Sequence, residues 1–352
     1  MPTFPPAKPE PPYNMREMIR TQPAFVRETA RRVGSSHLRS LLGSSRNVFV
    51  TGCGTSFHAS CYGARVLSGP LAPRRHVEAV QAYDLHRSLP SPARTTVIGV
   101  SHSGNTPTTN RALRRARHAG ARIVGICGLP DTPMEALTDA TLAIGSVHDR
   151  SWANTMSYTT QLAAFGAIAT YLGNRDWTRV SKALHTLPEA LDRALRCEPI
   201  VRRLARSVAS RDRVTFLGGG LDEITALEAA LKIRETCSMP ASGYHVEQFL
   251  HGPFLSLDRR ESVVALVSRD DPPRARAILT SLARTGARVT TVGDARGVDV
   301  PLPRVHPVLR PIVSVVPMQF LAYYVALERG VDPDVMRTDV PRYRPGVKLL
   351  HS

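Results

Sequence analysis

The chain has 352 residues, 42% of them hydrophobic, which is enough to build the cores of two domains of ordinary size and excludes a mainly disordered protein. Its formal charge of +17 comes almost wholly from arginine, because Lys8, Lys182, Lys232 and Lys348 are the only lysines. The arginines are scattered, and in segments such as RALRRARHAGAR they recur at helical spacing beside apolar residues, as on a solvated helix face, so a nucleic-acid partner is not expected.

The first 14 residues are proline-rich and read as an extended arm, followed by a helical pattern from about Met15 to Leu42. No basic segment leads into an apolar core at the start, and no later stretch reaches 18 uninterrupted apolar residues, so the expected setting is the cytoplasm with no membrane contact. The cysteines Cys53, Cys61, Cys127, Cys197 and Cys237 form no CxxC pair and read as reduced, buried thiols.

From Asn47 the chain becomes rhythmic. Short apolar runs occur at NVFVTGC, HVEAV, TTVIGVS, RIVGICG and ATLAIGS, mostly separated by helix-like segments, which predicts a parallel sheet covered by helices on both faces. A longer helical region from about Thr155 to Leu195 follows, and the rhythm restarts with RVTFLGGG, ESVVALVS and RVTTVG. In each half a first strand runs into a small-residue loop, TGCGTS or LGGGLDE, and then a helix. The expected fold is therefore α/β, with two tandem doubly wound, flavodoxin-like parallel-sheet units. The expected organisation is an arm and helical leader over 1–42, a first unit over 43–200, a second over 201–330 and a tail over 331–352 that runs across the surface.

The strand TTVIGVS delivers the chain into SHSGNTP, where Ser101, Ser103 and Thr106 occupy the turn between a strand and a helix. Unpaired N–H groups, the helix dipole and added hydroxyls make such a turn an anion site, although the same residues also serve as plain helix caps. The GxxxxGK[ST] loop is absent, GGGLDE is not a dinucleotide fingerprint, and no HExxH or CxxC run proposes a metal, so neither cofactor nor metal is expected.

The motifs CGTS (Cys53 to Ser56), SHSGNT (Ser101 to Thr106), TTQL (Thr159 to Leu162), ALEAALKIRE (Ala226 to Glu235), HGP (His251 to Pro253) and QFLAYYVALERGVDPD (Gln319 to Asp334) follow one another in order. Together they resemble the tandem sugar isomerase (SIS) family, which includes the isomerase half of glucosamine-6-phosphate synthase, amino-sugar-phosphate deaminases and fructosamine-6-phosphate deglycases. The resemblance runs from about Asn47 to Asp334. It implies that Ser56, Ser101, His102, Ser103 and Thr106 hold a sugar phosphate, with His102 standing where the synthase has glutamine and adding a switchable charge beside the dianion. It implies that Glu235 is the carboxylate that moves a proton between carbons 1 and 2, that Lys232 belongs to the same site, and that His251 opens the sugar ring from a neighbouring subunit. Thr55, Asn154 and Lys348 are further candidate substrate contacts. By spacing alone, Lys232 and Glu235 read as a surface ion pair, and His251 as a residue that shapes a loop.

The pattern breaks in two places. The sugar isomerase region starts within about 45 residues of Met1-Pro2, so the chain is expected not to draw ammonia from glutamine by itself, and Pro341 falls where the synthase tail carries an imine-forming lysine. Lys348 and Lys232 are the remaining amines for such an imine, unless the substrate already carries nitrogen and needs none. The expected function is an isomerase or deaminase of an amino-sugar 6-phosphate, working as a homodimer with shared sites. The alternatives are a fructosamine-6-phosphate deglycase and a non-catalytic phosphosugar sensor.

Overall fold

Strands that are apolar on both faces can be buried only between layers of helices, and the computed structural model of the chain places them there. It describes residues 8–350 apart from 34–41, 43–44, 74, 90–91, 174–176, 336 and 338. The first sheet holds β1 (Asn47–Thr51), β2 (His76–Ala79), β3 (Thr95–Ser101), β4 (Arg122–Cys127) and β5 (Ala140–Ala143) in the order β2-β1-β3-β4-β5. The second holds β6 (Arg213–Gly218), β7 (Ala241–His245), β8 (Glu261–Val267), β9 (Arg288–Gly293) and β10 (Val300–Pro301) in the order β10-β9-β8-β6-β7. Every pairing is parallel, and the two orders are the same doubly wound pattern used twice. The central strands β3 and β8 are buried at all seven positions, which is why their sequences show no alternation.

The main helices are α1 (Asn14–Arg32), α2 (Thr55–Leu71), α3 (Pro107–His118), α4 (Thr155–Leu172), α5 (Thr178–His185), α6 (Leu187–Ala194), α7 (Glu198–Ala209), α8 (Asp222–Cys237), α9 (Val246–Leu250), α10 (Pro273–Ala283), α11 (Arg310–Glu328) and α12 (Arg344–Leu349). α11 packs chiefly on α8 and α7. The segment Pro307–Glu328 is long and apolar enough to cross a membrane, but 89% of its apolar window is buried inside the protein, so it serves as a core helix.

Several expectations need correction. The leader helix ends at Arg32, ahead of the helix-weakening Gly34, and the stretch 34–41 lies outside the described residues. The helical region after Thr155 is three helices, α4, α5 and α6. β7 and β10 were not expected: ASGYH offers no apolar run, and VP is two residues ending in a proline, so both edge strands are fixed by their neighbours. The tail carries a short exposed helix, α12. Cys127, Cys197 and Cys237 are buried free thiols, whereas Cys53 and Cys61 are only half-buried.

α1 works as a buttress between the two units. Gln22 donates to Gln319 on α11 (2.5 Å) and accepts from Thr159 on α4 (2.8 Å), while Arg16 and Arg20 both reach Glu198 at the start of α7 (2.6 Å each). Glu198 also accepts from the Tyr324 hydroxyl at 2.7 Å, so one buried carboxylate ties α1, α7 and α11. The α2–α4 contact is close because a β-carbon on Gly63 would lie 2.5 Å from the Phe165 ring. Gly63→Ala overpacks this contact and is expected to lower the unfolding free energy by about 1–3 kcal/mol. Urea denaturation checks this, and Phe165→Leu in the same chain should recover part of the loss.

Candidate active site at the first switch point

In a sheet of order β2-β1-β3-β4-β5 the connections leave β1 and β3 in opposite directions, and a crevice opens at the carboxyl ends of those two strands. There β1 feeds the start of α2, carrying Thr55 and Ser56, and β3 feeds the loop Ser101 to Thr106 before α3. The loop turns at Gly104, whose φ is +60°, and a β-carbon there would lie 2.3 Å from Thr132. Only glycine fits.

The hydroxyls of this loop do not act as plain helix caps. Thr106 stands at the cap position of α3 without a side-chain bond to the helix, and its Oγ1 lies 2.9 Å from Ser101 Oγ. Ser103 Oγ accepts from the Asn105 N–H at 3.2 Å. On the other side of the crevice Ser56 Oγ accepts from Gln161 Nε2 at 3.1 Å. A helix start without a side-chain cap, together with serine and threonine hydroxyls, suits an anion.

His102 departs from its expected role. The ring is buried, its Nε2 accepts the Asp149 N–H at 2.9 Å, and burial, reinforced by His148, pushes its pKa down to about 3. It is therefore neutral and supplies no switchable charge beside a phosphate.

The second half of the site comes from α8. Residues 228, 232 and 235 fall at helical spacing, so Glu228, Lys232 and Glu235 share one face. The Lys232 side chain is fully buried, and its ammonium donates to Thr55 Oγ1 (3.0 Å), to Glu235 Oε2 (2.5 Å) and to the Ala153 carbonyl, with Glu228 Oε1 at 3.3 Å. The Thr55 hydroxyl donates a hydrogen bond to Glu228 Oε1 at 3.0 Å, and His58 Nδ1 lies 2.6 Å from Glu228 Oε2. Burial alone would neutralise Lys232, but Glu228 and Glu235 outweigh it and hold its pKa above the ordinary lysine value. Burial pushes Glu228 upward too, yet Lys232, His58 and Thr55 together bring it below the usual carboxylate range. For Glu235 burial wins, and its pKa lies above the usual range despite Lys232. The exposures separate the two acids: Glu228 and Lys232 side chains have no open surface, whereas that of Glu235 keeps 20%. Glu235 is the acid of the cluster that keeps open surface.

Lys232 is thereby removed from the candidates for an imine, since its protons are all engaged and its nitrogen carries no lone pair. Lys8 pairs with Glu17, and Lys182 lies on the exposed face of α5. Lys348 stands exposed on α12. Asn154, at the cap position of α4, adopts the left-handed conformation with φ 54°, a strained state that fixes the loop whose Ala153 carbonyl meets Lys232. His251 is not brought to Glu235 within one chain: its side chain is 65% exposed and its Nε2 lies 3.2 Å from Glu247. Nearby Leu255 is 77% exposed. Sequence reasoning missed Glu228, His58 and Asp149; the helical spacing of Glu228 to Lys232 was the available signal for the first.

The second unit has an equivalent switch point beyond β6 and β8. There the Ser268 and Arg269 amides just after β8 donate to Asp271 (2.7 Å) and Asp294 (2.9 Å), so these two backbone donors are already taken by carboxylates.

Two tandem doubly wound α/β units, with a buried ammonium–carboxylate cluster held between them, define the class of fold. Residues 41–171 match the SIS domain model, which covers most of the first unit. The chain is 34% identical over 355 residues, 92% of its length, to a glutamine–fructose-6-phosphate aminotransferase [isomerizing] of Gloeobacter violaceus. The chain spans 57% of the length of that relative. Among solved structures it is similar to the C-terminal domain of glucosamine-fructose-6-phosphate aminotransferase from Francisella tularensis, with a TM-score of 0.85 at 21% identity over 94% of this chain and 99% of that one. It is also similar to a glucosamine-6-phosphate deaminase from Thermotoga maritima, with a TM-score of 0.76 at 20% identity over 92% and 98% of the two chains.

Removing the ammonium strands two buried carboxylates, so Lys232→Met is expected to cost about 3–5 kcal/mol of unfolding free energy. Chemical denaturation at neutral pH measures this, and Lys232→Met combined with Glu228→Gln should be less damaging than the single change.

Proposed function

We propose that this chain is a phosphosugar isomerase or deaminase acting on an amino-sugar 6-phosphate, with Glu235 as the proton-transfer base. The observation that carries the reading is the state of Glu235: a carboxylate lifted above its ordinary range by burial, paired with a buried ammonium that also bonds Thr55, the residue before Ser56, and keeping 20% of its side chain open. A carboxylate of raised pKa is the stronger base and abstracts a proton from carbon more readily. In this reading Ser56, Ser101, Ser103 and Thr106 seat the phosphate, and Thr55 and Asn154 border the sugar. Glu235 then takes a proton from one of carbons 1 and 2 and returns it to the other. The relatives' names, a fructose-6-phosphate aminotransferase and a glucosamine-6-phosphate deaminase, support a 6-phosphorylated sugar as substrate.

With Lys232 held as a fully bonded ammonium and Lys348 exposed on α12, a substrate that already bears nitrogen fits best: proton transfer gives an enamine or imine that water can cleave, releasing ammonia. The same steps on a fructosamine 6-phosphate would release an amine instead, and product analysis by mass spectrometry distinguishes the two. Ring opening is assigned to His251 of a second copy, since within one chain that residue faces solvent on an exposed loop.

Incubation with fructose 6-phosphate, glucosamine 6-phosphate and a fructosamine 6-phosphate should give turnover of one of them, and Glu235→Gln should lower it by roughly a thousandfold. Binding of all three without turnover would instead favour a sensor. The rate should fall as pH drops through a value above the usual carboxylate range, because the base must be ionised. In Lys232→Gln that acid limb should move to higher pH, since loss of a neighbouring cation disfavours the ionised carboxylate. Glu235→Gln and His251→Asn chains, each inactive alone, should regain roughly a quarter of wild-type activity after subunit exchange, as expected if random pairing gives one intact site in half of the dimers. No recovery after verified exchange would count against shared sites.

A further inference from the structure

His102 lies between two hydroxyl residues of the anion crevice, yet its ring faces inward. It packs on Gly128, where a β-carbon would lie 2.1 Å from His102 Nδ1, and meets His148 edge-on at 4.8 Å between ring centres. Because Nε2 accepts the Asp149 N–H, the proton of the neutral ring sits on Nδ1, a buried atom with no hydrogen-bond partner among the described residues. A phosphate ligand would need that donor turned into the crevice.

Asp149 is equally buried and organises a loop of its own. Its Oδ1 accepts the Ser151 N–H (2.9 Å), and its Oδ2 accepts the Ser157 N–H (2.9 Å) with Ser157 Oγ at 3.0 Å, so it caps the start of α4 from outside the helix. The loop that it closes ends at the Ala153 carbonyl, which receives the Lys232 ammonium. That capping does not require His102. The His102 bond adds a mechanical link from the phosphate loop to the loop that holds Lys232, and Lys232 in turn holds Glu235.

We propose that His102 and Asp149 are positioning residues that clip the phosphate loop, Ser101 to Thr106, to the Lys232–Glu235 pair, so that seating a phosphate adjusts the catalytic base. The inference rests on the phosphate-site reading above. Positioning errors of about an ångström at a reacting group cost on the order of a hundredfold in rate, so a link of this kind makes chemistry depend on a correctly seated phosphate.

The test uses the full chain labelled with carboxyl-¹³C glutamate, with the Glu235 resonance assigned from Glu235→Gln, and inorganic phosphate and fructose 6-phosphate as probes. In the wild type, phosphate should shift the Glu235 titration. In His102→Leu, which keeps the bulk but lacks the acceptor, phosphate should bind within about threefold of wild-type affinity by calorimetry while the Glu235 response disappears and turnover falls about ten- to a hundredfold at unchanged KM. His102→Gln, whose amide oxygen can accept the same N–H, should restore both. Thermal unfolding followed by circular dichroism confirms that each variant is folded. If His102→Leu loses phosphate affinity in step with turnover, His102 is a ligand and the clip is wrong; if Glu235 responds to phosphate equally in wild type and His102→Leu, the link carries nothing. No phosphate binding by the wild type overturns the phosphate-site reading, and the clip with it.

Discussion

Everything in the candidate site depends on keeping one ammonium charged without water. Lys232 projects from α8 of the second unit, and its partners come from both: Glu228 and Glu235 from its own helix, Thr55 from the start of α2, and the Ala153 carbonyl from the loop before α4. A buried charge survives only where every donor is met. The consequence is architectural, because the two units must dock in the one arrangement that satisfies that nitrogen. It is also chemical. The ammonium keeps Glu228 ionised and moderates Glu235, while burial of Glu235 keeps its basicity high.

The duplicated fold is used asymmetrically. Both units have the same strand order and so both have a switch-point crevice, but the residues after the third strand decide what each does. Ser101 to Thr106 offers hydroxyls and a glycine turn. The corresponding segment after β8 supplies Asp271, and Asp294 comes from the end of β9, so the backbone donors there are already bound to anions. The second unit contributes instead through its helix α8, which carries the acid–base cluster, and through α11, which forms much of the core between the units. Topology gives two equivalent switch points, and local chemistry makes them different.

The sequence marks α1 only as a helical leader, whereas in the fold it is a support: its Gln22 and Arg16 join α4, α7 and α11. Its polar contacts are buried and paired across long sequence separations, which no local pattern can announce. The same is true of His58, a single polar residue whose partner, Glu228, is 170 residues away. The Asp149 side chain bonds locally, to Ser151 and Ser157, and its backbone N–H makes the long-range bond to His102.

The strands of the first sheet, the duplication, and the hydroxyl loop at the end of β3 are legible in the sequence, because apolar runs, small-residue turns and serine-rich helix starts act through local backbone preferences. The sequence also puts Lys232 and Glu235 on one helix face, since helical spacing is local. Only the tertiary structure decided that this pair is buried rather than a surface ion pair, because that depends on the first unit closing over it with Thr55 and Ala153. Only the tertiary structure turned His102 away from the crevice and toward Asp149, and gave the short edge strands β7 and β10 their form, since burial, pKa and edge pairing are set by neighbours that the chain brings together when it folds.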